Sequence, residues 1–391
     1  MSNETVVIFQ FGCSFIRVGI SGDSRPRHVL DINELFSKFS GLSESNFEYV
    51  INHNSHFQIA KFQNFNSQLE GYLMPVISKI YTHYLQIKPD LHHVVIIVSP
   101  YQPTYFLRTL HKVFSRLKVT GIKLLENGTI TSIPASLGMT HGIIIDIGRF
   151  ESRVGCVYQY ANNEYHVLMG DTLNIVPCGY ISFVGLFIRY WNSFTENETK
   201  SDDNDNVQNV QLYQIEDGIA VVQECLSNSG RDSIISVFLP YQKKTIKINS
   251  DVVNNCLNHV FFDVSNRNSL IYAFLQSLLS CPIDLRRKMA GNTIFTGGGL
   301  IPLSTCNFEK KFLKCIENLF QNEEALDSSC SSFKCLSPLL NPSSSKGSLG
   351  ILSSIPFEAS SLSWIGASVM CSSMINSKHS NFTFTEPESE F

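Results

Sequence analysis

Residues 141–155, HGIIIDIGRFESRVG, carry the pattern that decides the fold. A short apolar run leads into Asp146 and Gly148, and a second apolar run resumes at Val154. Such runs around turn residues predict a buried strand, a tight turn and a returning strand. A turn glycine lets the backbone approach a ligand and point its N–H groups at anionic oxygens, and Asp146 lies where a carboxylate can hold hydrated Mg²⁺. Taken alone, the stretch favours an ordinary hairpin.

A second copy of the pattern lies at the N-terminus. Residues 6–11, VVIFQF, precede Gly12, Cys13 and Ser14, and a returning apolar run covers residues 15–20. Two such hairpins, roughly 130 residues apart, indicate an internal duplication and predict two similar lobes facing a shared cleft.

A third glycine turn, at residues 297–299, follows the strand-like residues 293–296. Two phosphate hairpins and a glycine-rich turn on a duplicated chain resemble the ATPase fold shared by actin, the 70-kDa chaperones and sugar kinases. The resemblance implies an α/β, actin-like fold with two lobes around a nucleotide cleft. It implies that the cleft is lined by Gly12, Cys13, Ser14, Arg17, Asp146, Gly148, Gly297, Gly298 and Gly299.

Composition sets the class of protein. The chain has 391 residues, of which 43% are hydrophobic and 16% charged, so it can form more than one packed core. A net charge of −4 gives no general electrostatic footprint for nucleic acid or acidic membranes. Eleven cysteines without a CxxC pair predict reduced thiols rather than disulfides or a zinc site. With no basic leader and no apolar run of about 20 residues, the sequence predicts a cytosolic protein.

Strands and helices alternate in the first third of the chain, which is an α/β pattern. Residues 1–140 are predicted to form the first lobe, with a small irregular subdomain at about 31–70. Residues 141–361 are predicted to form the second lobe, residues 362–380 a C-terminal helix that returns to the first lobe, and residues 381–391 an acidic tail.

Two segments of the second lobe are predicted to be irregular, residues 192–210 as a solvated insertion and residues 328–348 as a loop. Residues 192–210 are acidic, rich in asparagine and almost free of apolar side chains, and residues 328–348 are rich in serine. Apolar residues at helical spacing predict helices elsewhere, at residues 71–85, 105–117, 181–191, 270–279 and from residue 362.

Three longer motifs resemble the actin family. Residues 19–27, GISGDSRPR, are similar to its GFAGD-x-x-PR, and residues 281–299 to its C-x-x-D-x-R…N-T-x-x-x-GG. Residues 364–368, WIGAS, are similar to its WIGGS. The order of the motifs over nearly the whole chain implies an actin-like fold.

Within this family, three stretches resemble the subunit at the pointed end of dynactin: residues 93–98 with the helix after them, the CPID of residues 281–284, and Glu151-Ser152 after the second hairpin. The resemblance implies that the partners are the centractin filament and other dynactin pointed-end subunits, with cytoplasmic dynein reached indirectly and no nucleic acid or membrane. It implies a place in the cytoplasm and cytoskeleton.

Several positions of the first hairpin depart from the actin pattern. Gln10 stands where actin has the aspartate that anchors Mg²⁺, and an amide supplies no charge for the metal. Cys13 stands in place of a serine that donates to phosphate, and Arg17 in place of a lysine. Cys13 is equally well explained as a small buried hydrophobe and Arg17 as a paired or solvated charge.

The second hairpin keeps Asp146 and Gly148 but replaces the following Asp-Gly of actin with Arg149-Phe150. We expect Arg149 to pair with a phosphate or, in an empty site, with Asp146, unless it is simply a surface charge. We expect Phe150 to crowd the loop. Gly148, like its counterpart in the first hairpin, is also explained by the turn alone.

Further roles are vacant by the same comparison. The water-activating glutamine of actin falls near Thr129, and the basic residues beside its adenine fall at Gly218 or Ile219 and near Ser360. These losses predict no catalysis and no bound metal, while ATP or ADP bound without turnover stays compatible with the surviving glycine turn. The alternatives are a residual ATPase or phosphotransferase of the same superfamily and an actin-related subunit of a chromatin-remodelling complex.

Overall fold

The computed structural model describes residues 5–32, 34–35, 65–100, 102–160, 164–198, 211–212, 214–228, 234–321, 328–341, 349–352, 355–376 and 384. The chain divides into two compact units. Unit 1 comprises Met1–Thr140, Val157–Val167 and Ser361–Phe391, and unit 2 comprises His141–Cys156 and Leu168–Ser360.

The described strands and helices occur in groups along the chain. The strands are β1 Val6–Phe11, β2 Phe15–Ile20, β3 His28–Asp31, β4 His93–Ile97, β5 Gly121–Leu125, β6 His141–Ile147, β7 Ser152–Gln159, β8 Tyr165–Val167, β9 Asn174–Val176, β10 Ile234–Leu239, β11 Lys244–Asn249 and β12 Thr293–Thr296. The α-helices are α1 Phe65–Lys79, α2 Thr104–Arg116, α3 Gly128–Thr131, α4 Ile133–Ser136, α5 Tyr180–Glu198, α6 Ile215–Ser227, α7 Ser250–Leu257, α8 Leu270–Ser280, α9 Ile283–Ala290, α10 Leu300–Ser304, α11 Phe308–Gln321, α12 Ser337–Leu340 and α13 Leu362–Asn376.

Unit 1 is built on a five-stranded sheet in the order β3-β2-β1-β4-β5. The central strand β1 runs antiparallel to β2 and parallel to β4, and all six of its residues are buried. A strand that is covered on both faces reads as a continuous apolar run, which is the pattern VVIFQF.

Successive side chains of β1 point to opposite faces of the sheet. On one face, Phe9 packs in an aromatic cluster with Phe11, Tyr81 and Phe114, at ring-centroid distances of 5.2–5.9 Å. On the other face lies α13, whose Trp364 donates its indole Nε1–H to the carbonyl of Ile8 at 3.2 Å. The second face therefore brings the C-terminal helix to the end of the first hairpin.

In unit 2, β12 pairs in parallel with β6, β6 lies beside β7, and β9 pairs antiparallel with β7. The run of isoleucines in β6 is fully buried, as a central strand requires. A cluster of phenylalanine rings forms much of the core of this unit, with members Phe261, Phe262, Phe274, Phe295, Phe308 and Phe312.

Val157–Val167 lies inside the range predicted as the second lobe, residues 141–361, but belongs to unit 1. The end of β7 pairs antiparallel with β8 there, and the Tyr165 hydroxyl donates to the Met139 carbonyl at 2.9 Å. This hydrogen bond and the one from the amide of Gln159 to the carbonyl of Thr140, at 2.7 Å, join the segment to the rest of unit 1. No local pattern in the sequence reveals these contacts.

Three predicted irregular segments are partly helical. Residues 65–70, assigned to the irregular subdomain, form the start of α1, where Leu69 is fully buried. Residues 192–198, assigned to the solvated insertion, continue α5, and Asn192 exchanges two hydrogen bonds with the backbone of Leu212. The rest of residues 31–70, apart from residues 31–32 and 34–35, and residues 199–210 lie outside the described residues.

The serine-rich segment 328–348 was also predicted to be a loop. Ser328–Leu336 is instead a 3₁₀ helix that continues into α12, and residues 342–348 lie outside the described part. The buried side chains of Cys330, Phe333, Leu336 and Leu340 anchor this stretch, and their burial outweighs the weak helix preference of serine.

The predicted C-terminal helix is present as α13, and of the tail at 381–391 only Phe384 is described, with its ring stacked on His93 at 4.1 Å. None of the described helices combines the length and the apolar character needed to cross a membrane.

Candidate functional site

The nine candidate site residues fall into two groups, four of them in unit 1 and five in unit 2. Each group centres on a hairpin, and the two hairpins close in the same way. The amide of Gly12 donates to the carbonyl of Phe15 at 3.0 Å, and the amide of Gly148 donates to the carbonyl of Glu151 at 2.9 Å. Both glycine amides are thus hydrogen-bonded within their own turns.

An arginine lies over the glycine in both hairpins. Arg17 and Arg153 each follow the turn glycine by five residues. Their Nη1 atoms lie 4.0 and 3.8 Å from the points that a Cβ atom on Gly12 and Gly148 would occupy. The sequence signal for Arg153 is an alignment of the two hairpins on their glycines, since the resemblance to actin does not point to this residue.

Arg153 holds both carboxylates of the second hairpin. Its Nη1 lies 2.9 Å from Oδ2 of Asp146, and its Nη2 lies 2.6 Å from Oε1 of Glu151. The three side chains are 14%, 10% and 21% exposed, so water screens these pairs only weakly. The guanidinium therefore occupies one side of the carboxylate that stands where a metal-binding aspartate would be.

This arrangement corrects the predicted partner of Asp146. We expected Arg149 to fill that role in an empty site, but the cation on Asp146 is Arg153. The guanidinium of Arg149 lies 5.6 Å from the ring centroid of Phe150, its neighbour in the turn. The register of the hairpin explains the difference, because residue 153 is on the returning strand and residue 149 is in the turn.

The first hairpin carries an amide where the second carries Asp146. Gln10, two residues before the turn glycine, donates from Nε2 to Oγ of Ser363 at 2.8 Å. Its Oε1 atom is buried and has no hydrogen-bond partner among the described residues. Gln10 pairs across the strands with Arg17, and both are 8% exposed. This position therefore places a neutral side chain, tied to the start of α13, beside a buried arginine.

The turn of the second hairpin covers the N-terminus of α5. A helix N-terminus attracts anions because its first amides lack partners within the helix. Here three amides at the start of α5 donate to carbonyls of the turn: Tyr180 to Gly148 at 3.1 Å, Ile181 to Arg149 at 2.7 Å and Gly179 to Phe150 at 3.1 Å. These amides are therefore used in packing.

The glycine turn after β12 packs on the second hairpin. Gly297 has φ +99°, and a Cβ there would lie 2.3 Å from the Ile147 carbonyl oxygen. A Cβ on Gly299 would lie 2.3 Å from the carbonyl oxygen of Gly148. A Cβ on Gly298 would meet no atom within 4 Å. Packing thus explains two of the glycines, and Gly298 alone has open space beside it.

We expect Gly297 and Gly298 to respond differently to alanine. Gly297→Ala should lower the free energy of unfolding by about 2 kcal/mol, because it combines a strained φ with a backbone clash. Gly298→Ala should change it by less than about 0.5 kcal/mol, since the added methyl group enters open space. Urea unfolding of both variants measures the difference, and equal losses would contradict the packing described here.

The structure also describes the positions that correspond to the water-activating glutamine and the adenine-flanking basic residues of actin. Thr129 lies in α3 with its hydroxyl buried and without a hydrogen-bond partner in the described part of the chain. A Cβ on Gly218 would lie 2.5 Å from Cδ1 of Ile188, so this glycine allows α6 to approach α5. Ser360 donates to Oε1 of Glu358 at 2.5 Å. None of these positions supplies a cation for a base or a phosphate.

The residues of the two hairpins do not fit a hydrated Mg²⁺ bound to nucleotide. Such an ion needs carboxylate oxygens that face water molecules and phosphate. Asp146 instead contacts a guanidinium, and Gln10 has no charge to offer. Across the part of the chain that the structure describes, no group of three His, Cys, Asp or Glu side chains could hold a metal ion. All eleven cysteines are free thiols, and burial raises the pKa of Cys178 and Cys371 to about 12.

A mixed α/β chain with two equivalent hairpins and a glycine turn on the second of them has the content expected of an actin-like fold. The chain is similar to actin-related protein 10 of Dictyostelium discoideum, at 22% identity over 451 aligned positions that cover 100% of this chain and 88% of the relative. This likeness confirms the predicted resemblance to an actin-related protein. No family model matches the chain. The arrangement of two lobes around a cleft and the nine site residues stay predictions.

Proposed function

We propose that this chain is a non-catalytic actin-related subunit of dynactin that caps the pointed end of the centractin filament. In that role it supports dynein-driven transport along microtubules, in the cytoplasm and as part of the cytoskeleton. Its direct partners are the centractin filament and the other pointed-end subunits, and cytoplasmic dynein is reached through the complex.

One observation supports the proposal that the chain does not hydrolyse ATP. In both hairpins, the side chains at the metal-binding positions are bonded to other side chains of the protein. Hydrolysis in an actin-like site needs carboxylates that anchor a metal ion and a polar side chain that positions water. Here Arg153 holds Asp146 and Glu151, while Gln10 donates to Ser363. The similarity to actin-related protein 10 over the whole chain supports the filament-end role.

The capping role has a physical basis. Subunits that associate head to tail use two different surfaces, and the contact propagates until one end is made different. A subunit that keeps one of the two surfaces terminates the filament and leaves its other surface to other partners. Residues 31–70 have no recognisable counterpart of the outer-loop sequence of actin, which supports a changed surface.

Filament labelling tests the proposal directly. The purified full-length protein carrying one fluorophore is mixed with preformed centractin filaments and imaged, with labelled centractin as the control that should decorate the whole length. We expect one label at one end of each filament. Labels along the filament, or none, would contradict capping.

Affinity purification from cells with mass spectrometry tests the assignment to the complex. Recovery of centractin, pointed-end subunits and dynein is expected, whereas recovery of chromatin-remodelling subunits would favour the nuclear alternative. An ATPase assay with Mg²⁺ tests the non-catalytic part, and turnover that is lost in Asp146→Asn would overturn it.

A further inference from the structure

The hairpin β10–β11 in unit 2 has one face packed and one face open. β10 and β11 pair antiparallel along their whole length and form a sheet of two strands. The packed face lies towards α6 and consists of alternate buried residues: Ile235, Val237, Leu239, Ile246 and Ile248. Because side chains alternate along a strand, the residues between them form the opposite, outer face.

Two hydrogen bonds attach the turn of this hairpin to other residues of unit 2. Asp217 of α6 is fully buried, and its Oδ1 accepts a hydrogen bond from the amide of Tyr241 at 2.8 Å. Gln242 donates from Nε2 to the carbonyl of Gln211 at 2.8 Å. The hairpin is thus a fixed platform, so its outer face can bind a partner at little cost in conformational entropy.

The outer face combines large apolar side chains with positive charge. Ile234, Phe238 and Tyr241 are 57%, 58% and 63% exposed, values that leave most of each side chain in water. The lysines of the hairpin are also exposed: Lys243, Lys244 and Lys247. Ile234, Phe238 and Lys247 lie at outer-face positions of the two strands, Tyr241 and Lys243 lie in the turn, and Lys244 lies opposite Leu239 at the start of β11. We call these six exposed residues the outer hairpin face.

The positive charge of the hairpin is not balanced within it. No aspartate or glutamate occurs between residues 234 and 249, in a chain whose net charge is −4. Of the nearby acids that the structure describes, Asp217 is buried under the turn, and Asp251 is in the first turn of the next helix, where its amide donates to the Asn249 side chain. Asp232, two residues before β10, lies outside the described residues. Isolated exposed apolar residues need no explanation, but three exposed apolar residues and three exposed lysines on one fixed hairpin fit an interaction surface.

We propose that the outer hairpin face binds an acidic protein segment that also carries apolar side chains. Ile234 and Phe238 are four residues apart on a strand, which places their Cα atoms about 14 Å apart. An extended partner segment with apolar residues at the same spacing and glutamate or aspartate between them matches both the apolar and the lysine side chains. This surface is separate from the two hairpins discussed above, and it does not depend on the filament-capping role.

A peptide of about twelve residues, about twice the length of each six-residue strand so that it covers the strand in several registers, provides the probe. It repeats Leu-Ser-Glu-Ser, which places leucine at every fourth residue and glutamate between the leucines on the same face of an extended chain. The peptide carries a fluorophore and is titrated with the purified full-length protein while fluorescence anisotropy is recorded. We expect saturable binding that weakens at high salt, because exposed charge pairs are screened. Reversal of the hairpin charges in Lys243→Glu, Lys244→Glu, Lys247→Glu should weaken binding at least about tenfold. Phe238→Ser alone should weaken it about tenfold.

Matched controls keep these results specific. The triple reversal Lys310→Glu, Lys314→Glu, Lys334→Glu makes the same change in net charge at exposed lysines of unit 2 outside the hairpin, and it should leave peptide binding unchanged. Ile283→Ser removes an apolar side chain that is 80% exposed elsewhere and should also have no effect. Circular dichroism establishes that each variant is folded.

Several outcomes would overturn the proposal. These are absence of binding to the unchanged protein, equal loss with the control reversal, and equal binding of a peptide in which lysine replaces glutamate. Tighter binding to vesicles of phosphatidylcholine and phosphatidylserine would identify the face as a membrane surface instead. Self-association that is lost on Phe238→Ser, measured by light scattering, would identify the occupant as a second copy of the chain.

Discussion

Arg153→Ala is expected to lower the free energy of unfolding by about 3 kcal/mol, because it leaves two weakly hydrated carboxylates without their cation. Asp146 and Glu151 are 10% and 21% exposed, and both contact the guanidinium at hydrogen-bonding distance. Urea unfolding followed by tryptophan fluorescence and circular dichroism measures the change. Arg27→Ala is the matched control, since its pair with Asp23 is 45% and 31% exposed and should contribute less than about 1 kcal/mol.

A combined variant separates charge from packing. This variant combines Asp146→Asn, Glu151→Gln and Arg153→Met. It removes the two negative charges and the positive charge while keeping side chains of similar volume. If the loss in Arg153→Ala comes from stranded carboxylates, the combined variant should be more stable than Arg153→Ala. Equal stability of the two would show that the arginine acts through the packing of its stem alone.

Gly366→Ala is expected to lower the free energy of unfolding by about 3 kcal/mol. A Cβ at this position of α13 would lie 1.8 Å from the carbonyl oxygen of Ser132, which no rotation of a side chain can relieve. The Ser132 carbonyl also accepts the amide of Ala135 at 3.1 Å, and the Ser132 hydroxyl donates to the Ser363 carbonyl at 2.7 Å. The methyl group would separate α13 from the segment that it packs against, a case of overpacking in a dense core.

Gly71→Ala is the matched control for this variant. Gly71 lies in the middle of α1, in the same unit, and a Cβ there would meet no atom within 4 Å. Alanine should raise the free energy of unfolding by about 0.5–1 kcal/mol, since it restricts the unfolded chain and favours the helix. A loss of stability at Gly71, or no loss at Gly366, would contradict the packing described for α13.

Local sequence patterns predicted most of the elements near the two hairpins. The run of isoleucines before Asp146 and the run VVIFQF before Gly12 form buried strands, each closed by a glycine turn. The helices α2 and α8 lie within one or two residues of their predicted bounds. These features depend on periodicity, on burial and on turn residues, which are properties of short stretches.

The segments rich in polar residues were predicted less well. The serine-rich residues 328–340 and the asparagine-rich end of α5 are helical because they are held by distant residues, as in the two hydrogen bonds between Asn192 and Leu212. A composition of serine and asparagine favours loops on its own. Tertiary packing can override such a local preference by burying a few apolar side chains.

The sequence by itself determined the α/β pattern and the two hairpins, since both are read from residue type and spacing. The resemblance to actin added that Gln10 stands where that family has a carboxylate. Only the tertiary structure decided which groups meet. It placed Arg153 rather than Arg149 on Asp146, joined Gln10 to Ser363 across 353 positions of sequence, and separated the packed glycines from Gly298. The physical reason is that partners of a buried charge or amide are chosen by strand register and helix packing, which depend on the whole fold.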